Sequence, residues 1–351
     1  MNIHQNFIGG NITVTKQTEK DVYLQNQIRD TNMDWFYWAF CVENAGGKEI
    51  TFHMQPVRLG YWGPAVSHDL KTWHWLDSVD GDTFTYKFGK DENKVYFAHS
   101  MLYHPERFSE LADELSLNTF ELCKSRKGRS VPAYSFGDGQ ISIILTARHH
   151  ACESTGSYVL EGVLRELSKN PIKNSRLLCV PFTDYDGVID GDQGKARIPH
   201  DHNRDYLGNE SIYPETSAIQ SYADKFGCNY GFDFHSPWHN SGENDQIYIV
   251  RNSVEKLAQT EKFSRIFEKQ ITGNSMKYSS ENDHQPMTGW NQPSTNFGFT
   301  MMHRPECEIA FSLECAYFGT EDNKITPEKM IELGRCYAKA LKEYINDVKK
   351  G

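Results

Sequence analysis

The sequence predicts an α/β protein with a mixed, mostly parallel sheet flanked by helices, preceded by a small antiparallel β-sandwich. Three observations carry this expectation. The first 125 residues hold five of the seven tryptophans and run as short aromatic and β-branched segments broken by Gly, Asn and Asp. From about Gly128 the chain switches to alternating strand-like and helix-like stretches. The strand-like stretches of this second part end, one after another, on polar and ionisable residues. Two domains are therefore expected, residues 1–125 and 126–351.

In the first domain, residues 36–42, 50–54, 83–88 and 95–98 are the expected strands, with turn residues at 44–47 and 91–93. Short strands with turns at this spacing build antiparallel sheets packed face to face. Trp35, Trp38, Trp62, Trp73 and Trp75 are expected in the core rather than as a sugar platform. A helix over about 105–115 leads out.

In the second domain, residues 141–147 form a continuous β-rich run, as in a strand buried on both faces. Residues 153–167 follow as a helix with Val159, Leu160, Val163, Leu164 and Leu167 on one stripe. Strands at 176–182, 230–235 and 308–314 alternate with helices at 215–226 and 253–271. Thr326 as N-cap and Pro327 at the first helical position open a terminal helix to about 348. Such alternation puts helices on both faces of a sheet and functional groups at the carboxyl ends of its strands.

Composition excludes several classes of function. With 38% hydrophobic and 13% aromatic residues in 351, the chain can build a packed core and is not a disordered protein. A formal net charge of −10 argues against a phosphate-backbone binder, so no nucleic-acid partner is expected. The most apolar run, 141–147, is too short to span a bilayer, and the first ten residues lack the basic start and apolar core of a secretory leader. Eight scattered cysteines without a Cys-x-x-Cys pair imply neither a disulfide framework nor a thiolate metal site, and the expected setting is the reducing cytoplasm. The oligomeric state is left open.

The strongest local signal is Arg148-His149-His150-Ala151-Cys152-Glu153, directly after the 141–147 strand. A His and a Glu three apart, at a strand end turning into a helix, can face one metal ion if a third ligand comes from elsewhere and a position stays open for water. His235 closes the 230–235 strand and fits that third place. Taken alone, His-x-x-Glu is a weak motif. Its weight comes from context: Asp184 and Asp186, Asp233 and His235, and Glu314 end three further strands, and the polar run Asp201-His202-Asn203-Arg204-Asp205 lies between.

The order Arg-x-His-x-x-Glu, x-x-Asp-Gly-Val, Asp-x-Asn-Arg, Asp-x-His-Ser and x-Leu-Glu resembles the zinc carboxypeptidases, and among them the cytosolic carboxypeptidase branch and its bacterial relatives. Trp38, Phe40, the run Pro56, Val57, Arg58 and residues 94–103 extend the likeness into the first domain. The resemblance implies one zinc ion held by His150, Glu153 and His235. Asp201 would orient His150, Asn203 and Arg204 would grip a substrate's C-terminal carboxylate, and Glu314 would act as general base and then acid. The implied activity is removal of the C-terminal amino acid from a peptide with a free carboxylate.

Three positions depart from the family pattern. Asp184 and Tyr185 stand where the family has Asn-Pro, and Pro237 follows Ser236. The 190–197 stretch does not align cleanly with the family's oxyanion arginine. Arg197, and after it Lys195, are the candidates for that role.

His149 is expected to be a structural or surface residue, and His202 and His239 to lie in solvated loops, with substrate contact as the alternative. Lys277, Arg304 and Trp290 are candidates for the wall of a side-chain pocket. Two other functions fit the same residues: deacylation of small N-acyl amino-acid conjugates, and peptide or glycan binding by a vestigial site.

Overall fold

Alternation along β4 explains how the first part of the chain is built. Phe40 and Val42 face one core while Ala39 and Cys41 face another, as period-two side-chain geometry requires. The structure is a computed structural model and describes residues 1–54, 59–239 and 242–349, so the run Pro56, Val57, Arg58 lies outside the described residues. Here β1 is Asn2–His4, β2 Thr13–Gln17, β3 Asp21–Gln25, β4 Ala39–Glu43, β5 Glu49–Met54, β6 Ala65–Ser67, β7 His74–Trp75, β8 Thr83–Lys87 and β9 Lys94–Ala98.

These strands make two sheets. One runs β1-β4-β9-β6-β7 with every pair antiparallel. The other runs β2-β3-β5-β8, and in it β3 and β5 pair in parallel, against the antiparallel expectation. Phe40, Phe52, Phe84 and Phe97 meet between the two sheets, each at most 2% exposed. Burying an aromatic of this size contributes about 1.5–3 kcal/mol. Trp35, Trp38, Trp73 and Trp75 are buried, as expected of core residues.

The helix α1 (Pro105–Glu114) has Pro at its first turn and buries Phe108, Leu111 and Ala112 in the larger core. Then follow β10 (Asn118–Lys124), β11 (Ser130–Phe136), β12 (Ile141–Ala147), α2 (Thr155–Lys169), β13 (Ser175–Val180), α3 (Tyr185–Asp190), α4 (Pro214–Phe226), β14 (Tyr230–His235), β15 (Ile247–Val250), α5 (Leu257–Gln270), α6 (Phe297–Met302), β16 (Ile309–Cys315) and α7 (Pro327–Val348). The sheet order is β10-β11-β13-β12-β14-β16-β15. Its four central strands, β13-β12-β14-β16, are parallel, and the pairs outside them are antiparallel. Residues 118–124, inside the first expected domain, thus join this second sheet.

From β12 the chain passes to β13 on one side and later to β14 on the other. That reversal opens a crevice at the carboxyl ends of the strands, where α/β sheets place their ligands. His235 and Glu314 are register partners on β14 and β16, so the two residues are neighbours there.

Candidate active site and metal centre

The turn after β12 is shaped by Arg148. Its backbone takes a left-handed φ of 59°, and its guanidinium folds back to donate to Ala151 O at 2.8 Å and Tyr103 O at 3.0 Å. The helix that follows starts at Thr155, two residues later than expected, so Glu153 sits in the turn rather than on the helix. Gly194 packs against this turn. A Cβ there would come within 2.1 Å of Ala151 N, and its φ of +77° also favours glycine.

The three expected ligands come together. His150 Nδ1 and His235 Nδ1 lie 2.7 Å from the two oxygens of Glu153, and all three side chains are buried. Ser236 N donates to the Glu153 carboxylate at 3.2 Å. The far nitrogen of each imidazole faces a buried aspartate: His150 Nε2 lies 3.7 Å from Asp201, and His235 Nε2 pairs with Asp233. Two Nδ1 atoms and a carboxylate within 4.8 Å of one another, each imidazole backed by a carboxylate, suit a zinc ion with an open fourth position.

A second trio, His149, Asp233 and His235, is equally compact. Both nitrogens of His149 are already engaged, Nδ1 by Asp233 at 2.9 Å and Nε2 by the Tyr206 hydroxyl at 2.7 Å. His149 therefore holds Asp233, as a structural residue, and does not face the cavity.

Charges in the cluster reinforce one another. Burial alone would raise the Asp201 and Asp233 carboxyls. The histidines beside them, with Lys195 and Arg204 near Asp201, hold both well below the usual range. Burial would lower His235, but Asp233 and Glu153 carry it well above its ordinary value. Glu314 is different. Burial raises it, His235 opposes that, Glu153 adds to it, and its Oε2 has no hydrogen-bond partner.

A cavity of about 350 Å³ opens over these groups. His150, His235, Glu314, Asn203, Arg204 and Lys195 all line it, with Ser236, Pro237 and Trp238 at one side and Trp290, Asn291 and Gln292 at another. Asn203 Nδ2 lies 3.3 Å from His235 Nε2, and Asn203 O accepts from Arg204 at 2.8 Å. Tyr248 and Val250 from the edge strand β15, Asn252 just after it and Ser312 on the neighbouring β16 supply an uncharged wall.

Arg197 is not among the lining residues. Its guanidinium is tied to Asp184 at 2.7 Å, Asp192 at 3.1 Å and Asp30 at 3.3 Å, because the 191–201 loop turns it into a cluster of carboxylates. Of the two candidates for the oxyanion role, it is Lys195 that lines the cavity, with Nζ 3.5 Å from His150 Nδ1 and 5.5 Å from the Trp35 ring centre. Lys277 and Arg304 also lie elsewhere, paired with Asp322 and with Asp224 and Glu306. Trp290 does line the wall. His202 is buried and stacked on Tyr213, and His239 packs against Phe36 and Phe318, so neither is a solvated loop residue.

Two contributions went unassigned from the sequence. Asp233 shares a face of β14 with His235 because residues two apart in a strand point the same way, and the Asp-x-His spacing was the available signal. Met33 and Trp35 reach the cavity from the first hundred residues, with no local signal at all.

No model of a known protein family matches the chain. An uncharacterised protein of Zymomonas mobilis is 26% identical over 257 residues, which cover 67% of each chain. Cytosolic carboxypeptidase 2 of Xenopus tropicalis is 28% identical over 197 residues, covering 46% of this chain but only 20% of the frog protein. A crystal structure of a metallo-carboxypeptidase from Burkholderia cenocepacia superposes with a TM-score of 0.81 at 17% identity, covering 99% of both chains. Over nearly its whole length, then, this chain has the fold of that metallo-carboxypeptidase.

Proposed function

We propose that the protein is a zinc metallocarboxypeptidase that hydrolyses the last peptide bond of a substrate with a free C-terminal carboxylate. The observation that carries this is one cavity lined by the two histidines that Glu153 bridges, by Glu314 with one unpartnered oxygen, and by an Asn-Arg pair. The partial sequence match to a cytosolic carboxypeptidase and the shared fold support it.

His150, Glu153 and His235 would hold the ion, which when bound supplies Lewis-acid chemistry and makes water a usable nucleophile near neutral pH. Asp201 and Asp233 fix the imidazoles with Nδ1 turned inward. Arg204 and Asn203 hold the substrate's terminal carboxylate, Arg204 by a charge-assisted pair. Glu314, with one oxygen unpartnered, takes the proton from the attacking water and returns it to the leaving amine. Lys195 stabilises negative charge developing on the carbonyl oxygen.

Among the described residues, the wall beyond Glu314 carries no fixed charge. The departing residue is therefore best matched by an uncharged side chain, and Lys or Arg termini find no carboxylate to pair with other than Glu314. The eight free thiols fit a reducing compartment, and no described helix is long and apolar enough to cross a membrane.

The test compares a peptide with its C-terminal amide. The free acid should be trimmed by one residue in mass spectra while the amide persists, and chelation should stop the reaction until zinc is restored. Equal turnover of acid and amide would exclude the carboxypeptidase reading.

A further inference from the structure

Lys195 reaches the cavity beside His150, yet its loop has little regular structure of its own. Residues 191–201 run without helix or strand, with left-handed φ at Gly191, Gly194 and Ala196. Such a loop holds a long side chain in one place only if something outside it fixes the backbone.

The fixing groups come from residues 26–37, a segment far away in sequence. Asp30 accepts two consecutive backbone N–H groups, Gln193 N at 2.9 Å and Gly194 N at 2.8 Å, immediately before Lys195. Its carboxylate also lies 3.3 Å from the side-chain Nε of Arg197, two residues after Lys195, and its own side chain is only 9% exposed. Gln193 is held from the same segment: its amide donates to Tyr37 O and Gln27 O, both at 2.9 Å, and accepts from Tyr37 N at 2.9 Å. On the far side, Asp201, the residue behind His150, accepts Ala196 N at 2.8 Å. Lys195 thus sits between two carboxylate anchors, with the Trp35 ring from the same N-terminal segment lying 5.5 Å from its ammonium group.

We propose that Asp30 is a positioning residue for the reaction: it clamps the backbone just before Lys195 and the Arg197 side chain two residues after it, and so sets the ammonium group against the metal centre. The segment 26–37 is by this inference part of the active-site machinery and not only a packing surface. The inference rests on the carboxypeptidase reading, but the clamp itself is tested apart from turnover.

The experiment uses the full chain and four proteins: wild type, D30N, K195A and the double variant. On a peptide that wild type trims, K195A should lower kcat by about 100-fold, the effect of losing one stabiliser of a developing oxyanion. D30N should lower kcat by about 10-fold with KM within about twofold, since the carboxylate grip of Arg204 is untouched. In the K195A background, D30N should cost nothing further, because it acts through the lysine. A D30N loss carried in full into that background would overturn the proposal.

The second readout needs neither metal nor substrate. Trinitrobenzenesulfonate labelling of Lys195, followed by peptide mass spectrometry, should be several-fold faster in D30N, while surface lysines such as Lys173 label unchanged. An unaltered Lys195 rate would overturn the clamp. If wild type trims no peptide, the carboxypeptidase reading fails and this labelling result alone decides the role of Asp30. Should D30N not fold, as judged by its melting curve, D30E keeps the charge while displacing both oxygens, and the same outcomes apply to it.

Discussion

Glu314 and Asp233 sit on adjacent strands within one cluster, yet single substitutions should separate their work. Glu314→Gln removes the proposed proton acceptor while keeping the shape. kcat should fall by about 10²–10⁴-fold, with zinc content by mass spectrometry unchanged, since Glu314 is not in the ligand set. Unchanged hydrolysis would show that proton transfer runs elsewhere. Asp233→Asn leaves His235 Nε2 without its carboxylate partner, and zinc affinity should fall by about 10–100-fold in a competitive chelator titration. Glu215 provides a prediction outside the centre. Burial, and the nearby Asp184, Asp186 and Asp205, raise its carboxyl to about 8 from 4.5. The unfolded carboxyl ionises above about 4.5 while the folded one stays protonated. The stability tied to the neutral form is therefore complete below about pH 4.5 and is lost as pH rises to about 8, at a slope of up to about 1.4 kcal/mol per pH unit. Glu215→Gln should be progressively more stable than wild type across that window in urea titrations, and level above it. A constant offset at all pH values would show that Glu215 is ionised in the native state. At this scale the sequence was most legible where chemistry is local: His150 and Glu153 are one turn apart, and Asn203 and Arg204 are adjacent. It was least legible for Arg197 against Lys195, because two cations two residues apart exchange roles on a loop whose direction is set by Asp30.

Among the elements, the strands that carry the site were visible as apolar runs, and β12 and β14 have the bounds the sequence predicts. What escaped were pieces whose pattern is weak or whose partners are distant. The β10–β11 hairpin is only half-buried on β10, so its alternation is diluted. The helices α3 and α6 have six residues each, too short for a helical stripe to register. The close approach of α2 and α7 was also invisible, since it depends on two glycines in contact across 172 positions of chain. A Cβ on Gly162 would lie 1.9 Å from Ile331 O, and one on Gly334 would lie 2.0 Å from Val159 O. Gly156 presses α2 similarly against Phe234 of β14, so α2 is packed tightly there as well. Gly162→Ala should therefore destabilise despite the better helix propensity of Ala. The expected loss is about 1–3 kcal/mol in denaturant titrations, against a propensity gain of about 1 kcal/mol. A variant as stable as wild type would mean the helices part without strain.

At the scale of the molecule, the five-stranded sheet is shared. Val66, Val95 and Phe97 join Phe40 and Val42 on the face toward the four-stranded sheet, while Ala65, Tyr96 and Ala98 join Ala39 and Cys41 in the core of the α/β part. Polar contacts cross the same boundary: Trp62 Nε1 donates to Phe318 O at 3.0 Å and Trp75 Nε1 to Ile325 O at 2.9 Å. The ring of Phe318 also fills the space against Gly60, where a Cβ would lie 2.2 Å away. An apolar face of this extent is not tolerated in water without a cover. A chain starting at residue 100 should therefore aggregate on expression to a greater extent than the full chain. Its loss should go beyond stability, because the truncation also removes Met33 and Trp35 from the cavity wall and Asp30 from the Lys195 loop. Sedimentation of the two proteins at matched concentration, with zinc content and KM measured on whatever remains soluble, checks both parts. If the truncated chain is monomeric, binds zinc and trims peptides with the full chain's kcat and KM, the first hundred residues are an appendage and the site is complete without them. The shared sheet argues for the opposite result: its two faces were built for two cores, and neither core closes without it.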